Sequence, residues 1–237
     1  MVWCGTVQLI DSILGTQPAP SSWLVGVTAA VALAAVLPHA LWRLSRNAIT
    51  IAHEGGHGLV ALLSGRRLQG IRLHSDTSGL TVSRGKPYGL GMILTAAAGY
   101  TAPSLLGLGG ALLLAAGHIT ALLWGATALL LVMLVMIRNA YGVLTVFLTG
   151  GLFLLVSWLT EPAVQAAFAY LVVWFLLFGG VRPVLELQRK RHGGAAPGSD
   201  ADQLARLTHT PSALWMVLFY AVALLSLFGG GRWLVGL

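Results

Sequence analysis

"IAHEGGHGLVALL", residues 51–63, sets two histidines and a glutamate inside an otherwise apolar run. Positions i and i+4 stack on one face of a helix, so His53 and His57 present both imidazoles to one point. Glu54 lies about 100° round from His53, beside that point. His-Glu-x-x-His is the pattern in which two imidazoles hold a zinc ion and the carboxylate serves as general base towards water. Ionisable side chains in an apolar span are costly, and Glu54 is the acidic residue that sits clearly inside one. Function is the default explanation for such a group. With seven histidines in 237 residues, chance yields the pattern in roughly one chain in four hundred. The competing explanation is a pair of satisfied core histidines with a glutamate in a polar seam. Gly55 and Gly56 each cost a helix about 1 kcal/mol relative to alanine. Small residues there admit the close approach of another backbone, from a neighbouring helix or from a substrate.

The rest of the chain says what kind of protein surrounds this helix. It is 57% hydrophobic and 9% charged, where soluble domains carry about 25% charge. This composition implies a polytopic membrane protein, one membrane-embedded domain over residues 1–237 without a large soluble module. The net charge of +7 does not point to nucleic acid, because the lysines and arginines sit between apolar runs, which is a topology signal. The single Cys4 excludes an intramolecular disulfide. No basic segment precedes an early apolar stretch, so the first run is expected to stay as a membrane helix.

Apolar runs at about 22–42, 48–64, 88–117, 119–137, 140–160, 163–181 and 212–232 predict six to seven transmembrane helices. The 88–117 run is too long for one straight span, and Gly99 and Pro103 are expected to break or bend it. Residues 67–85, "RLQGIRLHSDTSGLTVSRG", read as a short β-hairpin directly after the motif helix. Residues 183–198 read as a flexible basic loop. "SDADQLARLTHTP" then reads as a helix start with Ser199 or Asp200 as N-cap. With seven spans, the positive-inside rule places the hairpin, the long loop and the N-terminus on the cytoplasmic side, with Arg43, Arg46 and Arg232 opposite. Trp23, Trp158 and Trp233 suit an interfacial aromatic belt.

From about residue 48 to 216 the sequence resembles the site-2 protease family of intramembrane zinc metallopeptidases, in its compact bacterial branch without a PDZ domain. The resemblance rests on "HEGGH" in an apolar helix, the hairpin after it, "AAAGYTAPSLLG" at 96–107, "RNAYG" at 138–142 and "GSDADQLARLTHTPSALW" at 198–215. It implies one Zn2+ per chain on His53, His57 and a later aspartate. The family's common Leu-Asp-Gly form is absent. Asp200 is the choice by the Ser-Asp-Ala pattern, with Asp202 in reserve. The bland role for Asp200 is a helix cap. The resemblance also implies a transmembrane protein as substrate, cut within the lipid bilayer to release a membrane-tethered factor. The setting would be a bacterial cell membrane, with the active site nearer the cytoplasmic side. A non-catalytic pseudoprotease and a metal or proton transporter using the same residues are the two alternatives.

The hairpin offers a strand edge that can hold an extended substrate segment through main-chain hydrogen bonds, with Leu80, Thr81 and Val82 as the lining residues. Asn139 is a candidate donor to a developing oxyanion. His74, in the hairpin, is a possible fourth ligand in a resting state.

Overall fold

The computed structural model describes residues 15–194 and 198–236. Cys4 lies outside the described residues. Among the described residues, eight helices and one hairpin follow in order. Helix α1 is Ser22–Val36 and α2, the motif helix, is His39–Leu63. Strands β1, Arg67–Leu73, and β2, Gly79–Arg84, pair antiparallel. Then come α3 (Leu90–Ala115), α4 (Ile119–Met136), α5 (Ala140–Leu159), α6 (Pro162–His192), α7 (Asp200–Thr208) and α8 (Ser212–Leu234). Five of these helices, α3, α4, α5, α6 and α8, are long and apolar enough to cross a membrane. The pair α1 and α2 passes the same test only together, bent by 102°. Counted as one span, the pair makes six among the described residues.

The bend falls at Leu37 and Pro38, earlier than the hydropathy runs suggest. Proline has no N–H to continue α1 and sits as the extended N-cap of α2. The corner is held by polar contacts. Arg182 Nη1 donates to the Leu37 carbonyl at 2.8 Å and Ser45 Oγ to that of Ala35 at 3.1 Å, which satisfies carbonyls at the end of α1. Trp42, fully buried, donates its indole N–H to Glu186 Oε1 at 2.7 Å, and Arg182 stacks over the same indole. Arg46 and Arg182 therefore meet on one carboxylate, that of Glu186. A seven-span charge count sets these two arginines on opposite sides, and the structure corrects it.

The expected cytoplasmic N-terminus lies outside the described residues, but the segment from residue 15 is placed. Gln17 bonds the turn between α3 and α4: its N–H donates to Gly117 O, and its Oε1 accepts from the N–H of Ile119 and Thr120. That turn is the far end of α3 from the hairpin, 26 residues or about 39 Å away. Residues 15–20 therefore lie opposite the hairpin. Trp23, Trp158 and Trp233 fall at helix ends on that same far side, each well exposed, as interfacial tryptophans are.

Helix α3 is the central element, packed against α2, α6, α7 and α8. Of the break or bend expected at Gly99 and Pro103, there is no break: the helix is continuous through both residues. Its small residues allow this close packing. On α2, Gly56 faces Ala98 and Ala102 of α3 so closely that a Cβ there would lie 3.0 Å from the Ala98 carbonyl oxygen. Gly55 faces Met133 of α4. Both motif glycines thus serve neighbouring helices. The basic segment expected as a loop from residue 183 is helical as far as His192, at the end of α6. Leu187 and Val184 on its inner face pack with Leu204 and Phe219, which keeps it wound.

Candidate metal centre

Helical spacing alone brings His53 and His57 together, with Nε2 atoms 3.2 Å apart. Tertiary packing brings the third donor. Asp200 Oδ2, from the first residue of α7, lies 3.4 Å from His53 Nε2 and 3.3 Å from His57 Nε2. A tetrahedral ion with ligand distances of about 2.0–2.1 Å needs donors roughly 3.3–3.4 Å apart. The triangle has that size. Asp200 Oδ2 is moreover buried with no hydrogen-bond donor, a state that a bound cation would relieve. His53, His57 and Asp200 form the group able to hold a metal ion among the described residues.

The surroundings fix the donors. His57 Nδ1 is 2.7 Å from the Thr95 carbonyl of α3. It must donate there, which leaves the Nε2 lone pair for the triangle. The His53 ring packs edge-on against Tyr100, centroids 4.9 Å apart, and Tyr100 stacks on Phe219 of α8. Gly99 lies against both imidazoles: a Cβ there would overlap His57 Nε2 and stand 2.6 Å from His53 Nε2. Its missing side chain is the space between the ligands. Glu54 is buried beside the triangle and outside it, and its Oε2 accepts from Thr81 Oγ1 at 2.6 Å.

The choice between the two aspartates follows from one arginine. Arg191, at the end of α6, binds Asp202 Oδ1, Ser199 Oγ and Ser212 Oγ. Asp202 is consumed by this contact. Burial works against its charge, but the Arg191 guanidinium, with Ser199, prevails and its carboxyl sits below the ordinary value. The same contacts tie the ends of α6, α7 and α8 together and set the point where Asp200 begins its helix. Ser199, the N-cap residue, makes no side-chain cap bond.

Other expected residues are placed elsewhere. Asn139 spends both ends of its amide on the Leu73 backbone: Nδ2 donates to Leu73 O at 2.6 Å and Oδ1 accepts from Leu73 N–H at 3.2 Å. It pins the α4–α5 junction to β1 instead of facing the triangle. His74 lies in the exposed hairpin turn beside Ser78 and is not grouped with the three donors. Leu80 and Val82 point outward, exposed, while Thr81 turns towards Glu54. Sequence reasoning gave Thr95, Gly99 and Arg191 no role at the site. Thr95 acts through its carbonyl, which leaves no trace in residue type, and Arg191 reads as one more topology charge. Only Gly99, in "AAAGY", carries a visible signal, as a glycine among small residues.

The Peptidase M50B-like family profile matches residues 26–230. No curated protein and no solved structure matches the chain. The matched stretch starts inside α1 and ends inside α8, so it spans the motif helix, the hairpin and the segment bearing Asp200. The chain belongs to the Peptidase M50B-like family, and through it to the site-2 proteases.

Proposed function

We propose that this protein is an intramembrane zinc endopeptidase that cleaves a transmembrane segment of another membrane protein. The observation that carries this reading is the triangle of His53, His57 and Asp200 with a non-ligand glutamate beside it. His53 and His57 offer neutral Nε2 donors and Asp200 a carboxylate, a donor set of the catalytic kind with a position left open. Zinc bound there would supply the Lewis acidity that brings a water towards deprotonation near neutral pH. Glu54 takes that proton during attack on the scissile carbonyl and passes it to the leaving amide nitrogen. Thr95 holds His57 in the tautomer this requires. The open outer edge of β2 receives the substrate as an extended strand, which frees its peptide bonds from helical hydrogen bonds.

The site faces the cytoplasm in this reading. With six spans, ten of the fourteen lysines and arginines fall on the hairpin side, Arg182 sits at the corner with Arg46, and Arg232 alone lies on the other side. Arg43 and Arg46 lie within the bent pair. The positive-inside rule then gives the hairpin and the α6–α7 connection to the cytoplasmic face, with residues 15–20 opposite.

The decisive test compares wild type with Glu54→Gln for zinc content and for cleavage of a single-span protein in detergent or liposomes. Both should hold about one zinc per chain, and the variant should lose cleavage by several orders of magnitude. Zinc without cleavage in wild type would favour a pseudoprotease. Metal flux into liposomes would favour a transporter.

A further inference from the structure

The carboxylate of Glu54 is held from the hairpin. Thr81 Oγ1 donates to Glu54 Oε2 at 2.6 Å and lies 3.1 Å from the Glu54 carbonyl. Gly79, two residues earlier on the same face, packs so tightly on this side chain that a Cβ there would stand 2.5 Å from Oε1. Oε1 has no hydrogen bond among the described residues. One oxygen of the carboxylate is thus engaged and the other is left for water.

The backbone of the same strand points elsewhere. Ile71 O accepts from Arg138 N–H at 2.9 Å and Leu73 N–H donates to Asn139, so Ile71 and Leu73, beyond the bulge between Leu68 and Gly70, bond away from β2. Gly70 and Arg72 must bond their partners Val82 and Leu80. By alternation, Gly79, Thr81 and Ser83 turn their N–H and C=O groups to the outer edge. No backbone partner meets them there among the described residues. Thr81 therefore places its hydroxyl on Glu54 and its peptide groups on the free edge.

We propose that Thr81 is the positioning residue for Glu54, aiming the carboxylate from the strand whose outer edge receives substrate. This rests on the proteolytic reading above. An extended chain laid on that edge meets a base already oriented by the residue it pairs with. A hydroxyl donated to a carboxylate is a strong, directional contact. Its loss leaves Glu54 free to rotate, and misplacement of a reacting group by about 1 Å costs up to roughly 100-fold in rate.

The test uses Thr81→Val, which keeps the shape and the backbone edge, and Thr81→Ser, which restores the hydroxyl. The probe is a quenched-fluorescent single-span peptide with a Gly- and Ala-rich apolar segment in detergent micelles. Thr81→Val should lower kcat by about 10–100-fold with KM within about twofold, since the edge is intact, and with zinc content unchanged. Thr81→Ser should recover most of the loss. A second readout needs no turnover. In protein labelled with 13C-glutamate, the band removed by Glu54→Gln belongs to Glu54, and its infrared carboxylate stretch should shift in Thr81→Val and return in Thr81→Ser. A wild-type kcat in Thr81→Val, an unmoved band, or Thr81→Ser as impaired as Thr81→Val would overturn the proposal. Glu54→Gln at wild-type activity would instead refute the proteolytic reading itself.

Discussion

Gly99→Ala is the sharpest probe of the metal centre, because it adds one carbon where the ligands converge. The new Cβ would overlap His57 Nε2 and lie 2.6 Å from both His53 Nε2 and His57 Cε1, whereas ordinary contact begins near 3.4 Å. His53 alone would have to retreat by 0.8 Å, the difference between those distances. Metal–ligand bonds tolerate about ±0.2 Å, so at least one imidazole must leave the triangle. Neither can swing freely: His57 is bonded to the Thr95 carbonyl and His53 is packed on Tyr100. Disturbing groups that merely support ligands costs about 10–100-fold in metal affinity. Displacing a ligand should therefore cost about 100-fold or more, which is roughly 2.7 kcal/mol or above. Helix propensity acts in the opposite direction, since Gly→Ala in a helix gains up to about 1 kcal/mol. The control is Gly109→Ala on the same helix, where the added Cβ meets nothing within 4 Å. Zinc affinity, measured by chelator competition on purified protein, should fall only in Gly99→Ala. Wild-type affinity in that variant would refute the convergence of the two imidazoles at Gly99. Equal loss in both variants would trace the effect to α3 as a whole.

The two aspartates should separate cleanly: Asp200→Ala should abolish tight zinc binding, while Asp202→Ala should weaken it about tenfold through its partner; the reverse ranking, by elemental analysis, would move the ligand to Asp202. Arg191→Ala should mimic Asp202→Ala or exceed it, because it frees Ser199, Asp202 and Ser212 at once; unaltered zinc affinity would show that α7 is held without it. Ser83→Pro removes an outward N–H of β2 and should reduce cleavage about tenfold or more with zinc retained, beside a near-normal Ser83→Ala. Val82→Pro removes a ladder bond to β1 and should loosen the hairpin itself, seen as easier proteolysis by added trypsin at Arg84. Matching behaviour of the two prolines would contradict the strand polarity derived from Asn139 and Arg138.

Local regularities were legible in the sequence. The i, i+4 pairing of His53 with His57 follows from helix geometry and needs no tertiary contact. The hairpin was readable from its turn residues, and the membrane helices from the length and apolarity of their runs. Each depends on residues close in sequence, so the chain itself records it. What the sequence left open depends on residues that meet only after folding. Asp200 and Asp202 are two apart and equally acidic; the meeting of Arg191 with one and of two imidazoles with the other separates them. Gly99 reads as a helix breaker, yet packing of α3 on α2 makes it the gap between ligands. Asn139 reads as a donor for chemistry until the Leu73 backbone engages both ends of its amide. Hydropathy merged Pro38 into a run, and the corner there emerged only with Trp42, Arg46, Arg182 and Glu186 around it. The general reason is range: a helical turn or a hairpin is fixed by neighbours within a few residues. The third ligand, the aim of the base and the course of the chain through the bilayer are fixed by contacts between distant segments, whose partners no local pattern names.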